Sequence, residues 1–164
     1  MEIKIMYKIN IENMDTSNLK LAIKVAESLK HKTEEPKWFD PEAIETMKKE
    51  FPNKRGYVAI VNNNVVGFIT YKIKEKGLEL SWIGVLEKYH RKGIGKKLVE
   101  KLLMFAKEKK CRYIDVETVA PHHVDENYRR TIAFYKKTGF KERQILEKAD
   151  KGIWDMISMR LEIK

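Results

Sequence analysis

A glycine-rich turn between an apolar strand and an amphipathic helix constrains this chain more than any other feature. Leu78 to Val85 reads as a strand. From Ile94 to about Lys109 the apolar residues Ile94, Leu98, Leu102, Phe105 and Ala106 keep a helical period. Between them runs Tyr89-His90-Arg91-Lys92-Gly93-Ile94-Gly95-Lys96-Lys97-Leu98. Glycines let the main chain approach a ligand closely, and the start of a helix offers unpaired N–H groups to an anion. Arg91, Lys92, Lys96 and Lys97 add positive charge at the same place. The expected object is a pyrophosphate cradle at the end of a strand.

Spacing separates the motifs that make such cradles. A P-loop needs a glycine five residues before its Gly-Lys pair and a Ser or Thr after the Lys. Here those positions hold His90 and Lys97, so a P-loop is excluded. A dinucleotide fingerprint needs Gly or Ala where Leu98 stands, and it is excluded too.

The remainder of the chain reads as alternating elements. Ile3, Ile5, Tyr7 and Ile9 alternate as in an opening strand. Asp15-Thr16-Ser17-Asn18 offers N-caps to a helix carrying Leu21, Val25 and Leu29. Asp40-Pro41 starts a second helix, which ends by Phe51-Pro52-Asn53. Gly56–Val61 and Val65–Tyr71 flank the turn signal Asn62-Asn63-Asn64, and Gly77 turns the chain into the third strand of a meander. After the 94–109 helix come a strand over Tyr113–Val119 and a helix from about Glu126 to Lys137 that stops at Gly139. Strands at Phe140–Leu146 and Ile153–Leu161 close the sequence. This order predicts an α/β mixed sheet in one domain, 1–164, with no repeat or linker dividing it.

Composition bounds the setting. With 43% hydrophobic and 35% charged residues, a soluble globular protein is expected. No apolar run approaches the roughly 18 residues a bilayer span needs, so no membrane is expected. The opening Met1-Glu2-Ile3-Lys4-Ile5 lacks the features of a secretory signal, and Cys111, the single cysteine, fits a reducing compartment. A cytoplasmic protein is the expectation. The net charge of +10 suits either a solvated Lys/Glu surface or an acidic or phosphorylated partner. Its charges are interleaved, as in Lys72-Ile73-Lys74-Glu75-Lys76, so charge alone does not choose.

His90-Arg91-Lys92-Gly93-Ile94-Gly95 resembles the Q/R-x-x-G-x-G/A acetyl-CoA signature of the GNAT superfamily of N-acetyltransferases, with His90 at the Gln/Arg position. A second stretch, Asn127 to Phe140, resembles that family's N-x-x-A-x-x-F-Y-x-x-x-G-F segment. It matches at Phe134-Tyr135 and Gly139-Phe140, while Tyr128 and Thr131 stand at the usual Asn and Ala positions and Asn127 lies one residue early. The resemblance implies the GNAT fold, a central mixed, mostly antiparallel sheet of about seven strands flanked by about four helices. It also implies transfer of the acetyl group of acetyl-CoA directly to a primary amine of a protein or small molecule.

Residue by residue, the resemblance assigns the pyrophosphate to Arg91, Lys92, Gly93, Ile94, Gly95 and Lys96. The pantetheine arm falls to the main chain of Ile83, Gly84 and Val85, on a strand that splays from its neighbour. Asn127 and Tyr128 add cofactor contacts. Tyr135 is the candidate donor of a proton to the leaving thiolate, since a phenol of pKa about 10 matches a thiolate of similar basicity. Glu79 is the preferred base and alternation puts it with Ser81, Ile83 and Val85 on one face; Asp115 and Glu117, sharing a face of the next strand, stand in reserve. The same residues have plain alternatives, with Tyr135 as core and Glu79 as a surface carboxylate.

Other singled-out residues read more simply. Cys111 lacks a neighbouring base and is expected to pack, and no covalent intermediate is expected. His122-His123 without spaced partners does not make a metal site. Trp38 and Phe39 line the acceptor cleft or pack on the sheet, and Trp82 and Trp154 are core or sheet-face residues. The competing functions are a non-catalytic acyl-CoA-binding domain of the same fold and a basic nucleic-acid-binding module. Against the latter, no helix-turn-helix, zinc-finger or RNP-type pattern occurs. Many relatives dimerise, so a homodimer is open. Glu34-Glu35 and Asp125-Glu126 are candidate local acidity for a cationic acceptor.

Overall fold

The computed structural model describes residues 8–30, 39–120, 126–146 and 155–164. In chain order the elements are β1 (Asn10–Asn13), α1 (Leu19–Ser28), α2 (Pro41–Glu50), β2 (Arg55–Val61), β3 (Asn64–Ile73), β4 (Gly77–Val85), α3 (Ile94–Glu108), β5 (Tyr113–Val119), α4 (Glu126–Lys137), β6 (Lys141–Leu146) and β7 (Met156–Glu162). Short 3₁₀ turns at Phe51–Asn53 and Glu87–Tyr89 precede β2 and α3. The strands form one sheet in the order β1-β2-β3-β4-β5-β7-β6. Among the strand pairs of this sheet only β4–β5 is parallel, and α3 is the crossover it requires.

Local chemistry explains the joints. The Asp40 carboxylate accepts the Ala43 amide hydrogen bond at 2.7 Å, and Pro41 opens α2 where its missing N–H costs nothing. Asn62 and Asn63, with φ of 49° and 64°, make the two-residue left-handed turn that joins β2 to β3.

The sheet carries a core on each face. Leu78, Leu80, Ile114, Val116 and Ile157 meet Leu98, Leu102, Ile132 and Tyr135 on the side of α3 and α4. Phe68 and Val58 meet Val25, Leu29, Ile44, Met47 and Phe51 on the side of α1 and α2. The stripe expected on α1 is displaced. Leu21 is 44% exposed, and the buried residues are Ala22, Val25, Ala26 and Leu29. Two alanines let the helix lie close to β3, which turns the bulkier Leu21 outward. Of the expected opening strand, residues 3–7 lie outside the described residues; Ile9 packs on the core and β1 begins at Asn10. Likewise 153 and 154 lie outside, and β7 is described from Met156.

Candidate active site

The turn after β4 is built as a cradle. Arg91 and Gly93 both take left-handed conformations, with φ of 61° and 81°, and fold the chain back into α3. Glycine adopts this region without strain, and a Cβ at Gly93 would meet nothing within 4 Å, so its concave side is open. The first bond of the helix runs from the Lys97 amide to the Gly93 carbonyl at 3.1 Å. The amides of Ile94, Gly95 and Lys96 therefore have no acceptor within the helix. Arg91 and Lys92 are exposed beside them, and Lys96 lies 4.0 Å from Glu100 one turn on. The Ile94 side chain belongs to the core, which leaves only its main chain for a ligand. His90 Nε2–H donates to the Val85 carbonyl at 2.6 Å and ties the turn to the end of β4. The residue that departs from the signature is thus part of the loop's own bracing.

A gap opens in the sheet beneath this turn. Leu80 pairs with Tyr71 of β3, but Trp82 pairs with Thr70, so Ser81 is an extra residue, a β-bulge. The parallel ladder to β5 ends at the same point, with Leu80 opposite Val116. Beyond it β5 keeps pairing with β7 as far as Val119 opposite Met156, while Ile83, Gly84 and Val85 have left it. Gly84 is pressed on its other side, since a Cβ there would stand 2.8 Å from the Phe68 ring.

The bulge corrects the expected faces. Glu79, Ser81, Ile83 and Val85 do not share one side of the sheet. Leu78 and Leu80 belong to the α3–α4 core, so Glu79 points to the α1–α2 side, and Ser81 and Trp82 follow it there. Ile83 and Val85 pack against the α3–α4 core. One inserted residue reverses every side chain after it, because the strand period is two. Glu79 is half-buried with Lys74 Nζ 3.2 Å from its carboxylate, and its neighbours in register are Lys72 and Asp115.

Asp115 is held by both oxygens. Arg160 Nε and Nη2 donate to it at 2.6 and 2.8 Å, and the guanidinium stacks 3.6 Å from the Tyr113 ring centre. Glu117 is exposed, on the part of β5 that β4 has left. On the far wall, α4 buries Tyr135 to 4% exposure, with the Phe134 and Phe140 rings 5.5 and 5.4 Å away. Burial pushes the Tyr135 phenol well above its ordinary pKa and keeps it protonated. Tyr128 is half-buried two turns earlier; Asn127 lies in the first turn of α4, its side chain outside the described residues.

Several features escape sequence reasoning. Lys54 Nζ donates to Ser81 Oγ at 3.0 Å, and Glu50 takes both Lys54 and the Trp82 indole N–H. The Glu50–Lys54 spacing was visible as an i,i+4 pair, but its strand partners were not. Phe39 packs its ring on Phe68 and Trp82, taking the sheet-packing alternative, and Cys111 is a half-buried free thiol against the core. Trp38, Trp154, His122-His123, Glu34-Glu35 and Asp125 lie outside the described residues. Among the described residues no three His, Cys, Asp or Glu side chains cluster as metal ligands, and no helix is long and apolar enough to cross a membrane.

An open, amide-lined cradle above a gap in a sheet suits a ligand with a pyrophosphate and a long arm bearing amides of its own. Acetyl-CoA has that shape and chemistry. The comparisons agree. The family model described as the acetyltransferase (GNAT) family matches residues 23–140. A structure assigned to the GNAT acetyltransferases from Desulfovibrio desulfuricans superposes with a TM-score of 0.79 at 20% identity, over 96% of this chain and 100% of that one. A GNAT-family acetyltransferase from Staphylococcus aureus gives 0.74 at 23% identity, over 96% and 100%. A GNAT-family acetyltransferase from Elizabethkingia anophelis, with acetyl-CoA bound, gives 0.69 at 19% identity, over 94% and 98%. At these identities the likeness is one of fold. No curated protein matches the sequence.

Proposed function

The chain belongs to the acetyltransferase (GNAT) family, and on that premise we propose how its residues divide the work of an acetyl-CoA-dependent N-acetyltransferase. Acetyl-CoA supplies an acetyl thioester, an acyl group already activated toward an amine. The Gly93, Ile94, Gly95 and Lys96 amides hold the pyrophosphate, with Arg91, Lys92 and Lys96 as its counter-charge. The main chain of Ile83, Gly84 and Val85 hydrogen-bonds the pantetheine arm as a neighbouring strand would. Asn127 and Tyr128 contact it from α4. The observation that carries this assignment is the end of the β4–β5 ladder at Leu80, directly below the cradle.

The acceptor is a primary amine of a protein or a small molecule. At neutral pH only about one such amine in a thousand is uncharged, so a base is needed. We assign that role to Glu79, acting through water from the α1–α2 side of the sheet. Asp115 is less suited, because Arg160 occupies both of its oxygens. Tyr135 donates the proton that the departing thiolate requires. The chain acts as a single domain, 1–164, in the cytoplasm, alone or as a homodimer.

Calorimetric titration with acetyl-CoA, with ATP and NAD as controls, is the first test. Selective micromolar binding supports the assignment, and an amine-library acetylation screen then identifies the acceptor. Absence of binding removes the site assignment. Binding without turnover on any amine would favour a non-catalytic acyl-CoA-binding domain.

A further inference from the structure

The bulge at Ser81 is held from outside the sheet by a nearly buried lysine. The Lys54 side chain is 8% exposed, and its ammonium lies 3.2 Å from Glu50 Oε2 and 3.0 Å from Ser81 Oγ. The Trp82 indole N–H donates to the same Glu50 oxygen at 3.1 Å. One carboxylate at the end of α2 and one ammonium just after it thus grip two successive residues of β4. The Trp82 ring also meets Phe39 edge-on, with centroids 6.0 Å apart, and the Phe39 amide bonds the Leu29 carbonyl at the end of α1.

A buried ammonium is costly, and pairing it with one carboxylate rarely does more than offset the desolvation. Burial accordingly pushes the Lys54 pKa below its ordinary value, against the opposing pull of Glu50. A methionine would fill the same space without that cost, so stability does not explain the lysine. Its contacts fall instead on the residue where β4 shifts register against β3 and, just past Leu80, leaves the β5 ladder. Without such a grip β4 has an alternative. Loss of the bulge would shift Trp82 onward by one residue and reverse its face, and would let the free edge of β4 approach β5 again.

We propose that Lys54 and Glu50 are positioning residues that lock the register of β4 at Ser81 and Trp82, keeping open the gap beside Ile83, Gly84 and Val85. The lock joins the cofactor strand to the helical layer of α1 and α2, so a shift of α2 is felt at the pantetheine edge. The part of this that concerns acetyl-CoA rests on the assignment of Ile83–Val85 to the pantetheine arm. The register lock itself does not.

The test is Lys54→Met, read by hydrogen exchange on the ligand-free protein and by calorimetry with acetyl-CoA. Exchange at the amides of residues 82–85 should rise by about tenfold, and affinity should fall by about tenfold, the scale of one lost buried charged hydrogen bond. A merely structural role would lower the melting temperature and raise exchange across the sheet, yet leave the affinity of the folded protein unchanged. That result overturns the proposal, as does a folded variant identical to wild type in both readouts. If Lys54→Met does not fold, Ser81→Ala decides, because it deletes only the oxygen that Lys54 grips. A rise in exchange confined to residues 82–85, with affinity down about threefold, supports the lock; no change in either overturns it. Failure of the wild type to bind acetyl-CoA counts against the cofactor assignment, and the ligand-free exchange still decides the lock.

Discussion

Gly95 and Phe134 meet where α3 begins, and a Cβ on Gly95 would stand 3.0 Å from two carbons of the Phe134 ring. The second glycine of the turn therefore serves the packing of α4 on α3 as well as access to the cradle. Through it the glycine-rich turn and the helix carrying Tyr135 are held in one spatial relation.

Gly95→Val should push Phe134 away and destabilise the fold by about 1–3 kcal/mol, the usual cost of overpacking. Phe134→Leu in the same chain should recover part of that loss. Denaturant melts of the two single variants and the double variant measure it. Strictly additive effects would mean that the ring swings aside and the contact constrains nothing.

Gly93→Asn separates the cradle's openness from its backbone conformation. Asparagine tolerates a left-handed residue, and the space at Gly93 is empty, so the fold should lose no more than about 1 kcal/mol. If the turn holds the pyrophosphate as proposed, acetyl-CoA affinity should nonetheless fall by at least about tenfold, because the new side chain fills the open space beside the helix amides. Unchanged affinity would mean that the turn does not hold the pyrophosphate.

Tyr135→Phe should slow turnover by about 10²–10⁴-fold if the hydroxyl is the only proton donor to the thiolate. Acetyl-CoA affinity and melting temperature should hardly move, since the ring contacts with Phe134 and Phe140 remain. A near-normal rate would return Tyr135 to the core as a packing residue.

Alkaline titration should separate the tyrosines. Burial raises the pKa of Tyr57, Tyr71 and Tyr135, and the Tyr57–Tyr71 hydrogen bond adds to the shift at Tyr57. Groups raised on folding contribute stability that is full below the unfolded pKa of about 10 and is lost as pH rises above it. Phenolate absorbance should therefore show Tyr57 and Tyr135, two of the seven tyrosines, ionising only with alkaline unfolding. Tyr135→Phe should flatten the fall in stability above that pH. An unaltered slope would mean that the phenol is solvated in the native protein.

Much of the fold was legible from periodicity and punctuation. Helix starts at Asp40-Pro41 and Gly93-Ile94 and the Asn62-Asn63 turn depend on residues adjacent in the chain, so local chemistry specifies them. The cradle was legible for the same reason, since its glycines, charges and helix amides lie within a few consecutive residues. Leu21 was not, because which face of a short amphipathic helix is buried depends on how closely its alanines let it approach β3.

The sequence by itself determined the succession of elements, the glycine-rich turn that opens α3 and the resemblance that identified the acetyl donor. Only the tertiary structure decided which way the β4 side chains point. A bulge carries no obligatory residue, and Ser81 becomes one because the β3 ladder shifts register and the β5 ladder ends there, and Lys54, far away in sequence, holds its side chain. That single insertion moved Glu79 to the face opposite Ile83 and Val85. The same dependence on distant partners hid the Asp115–Arg160 pair and the Gly95–Phe134 contact. Each requires two segments to meet, and their meeting is an outcome of packing the whole sheet between its helices rather than of any local pattern.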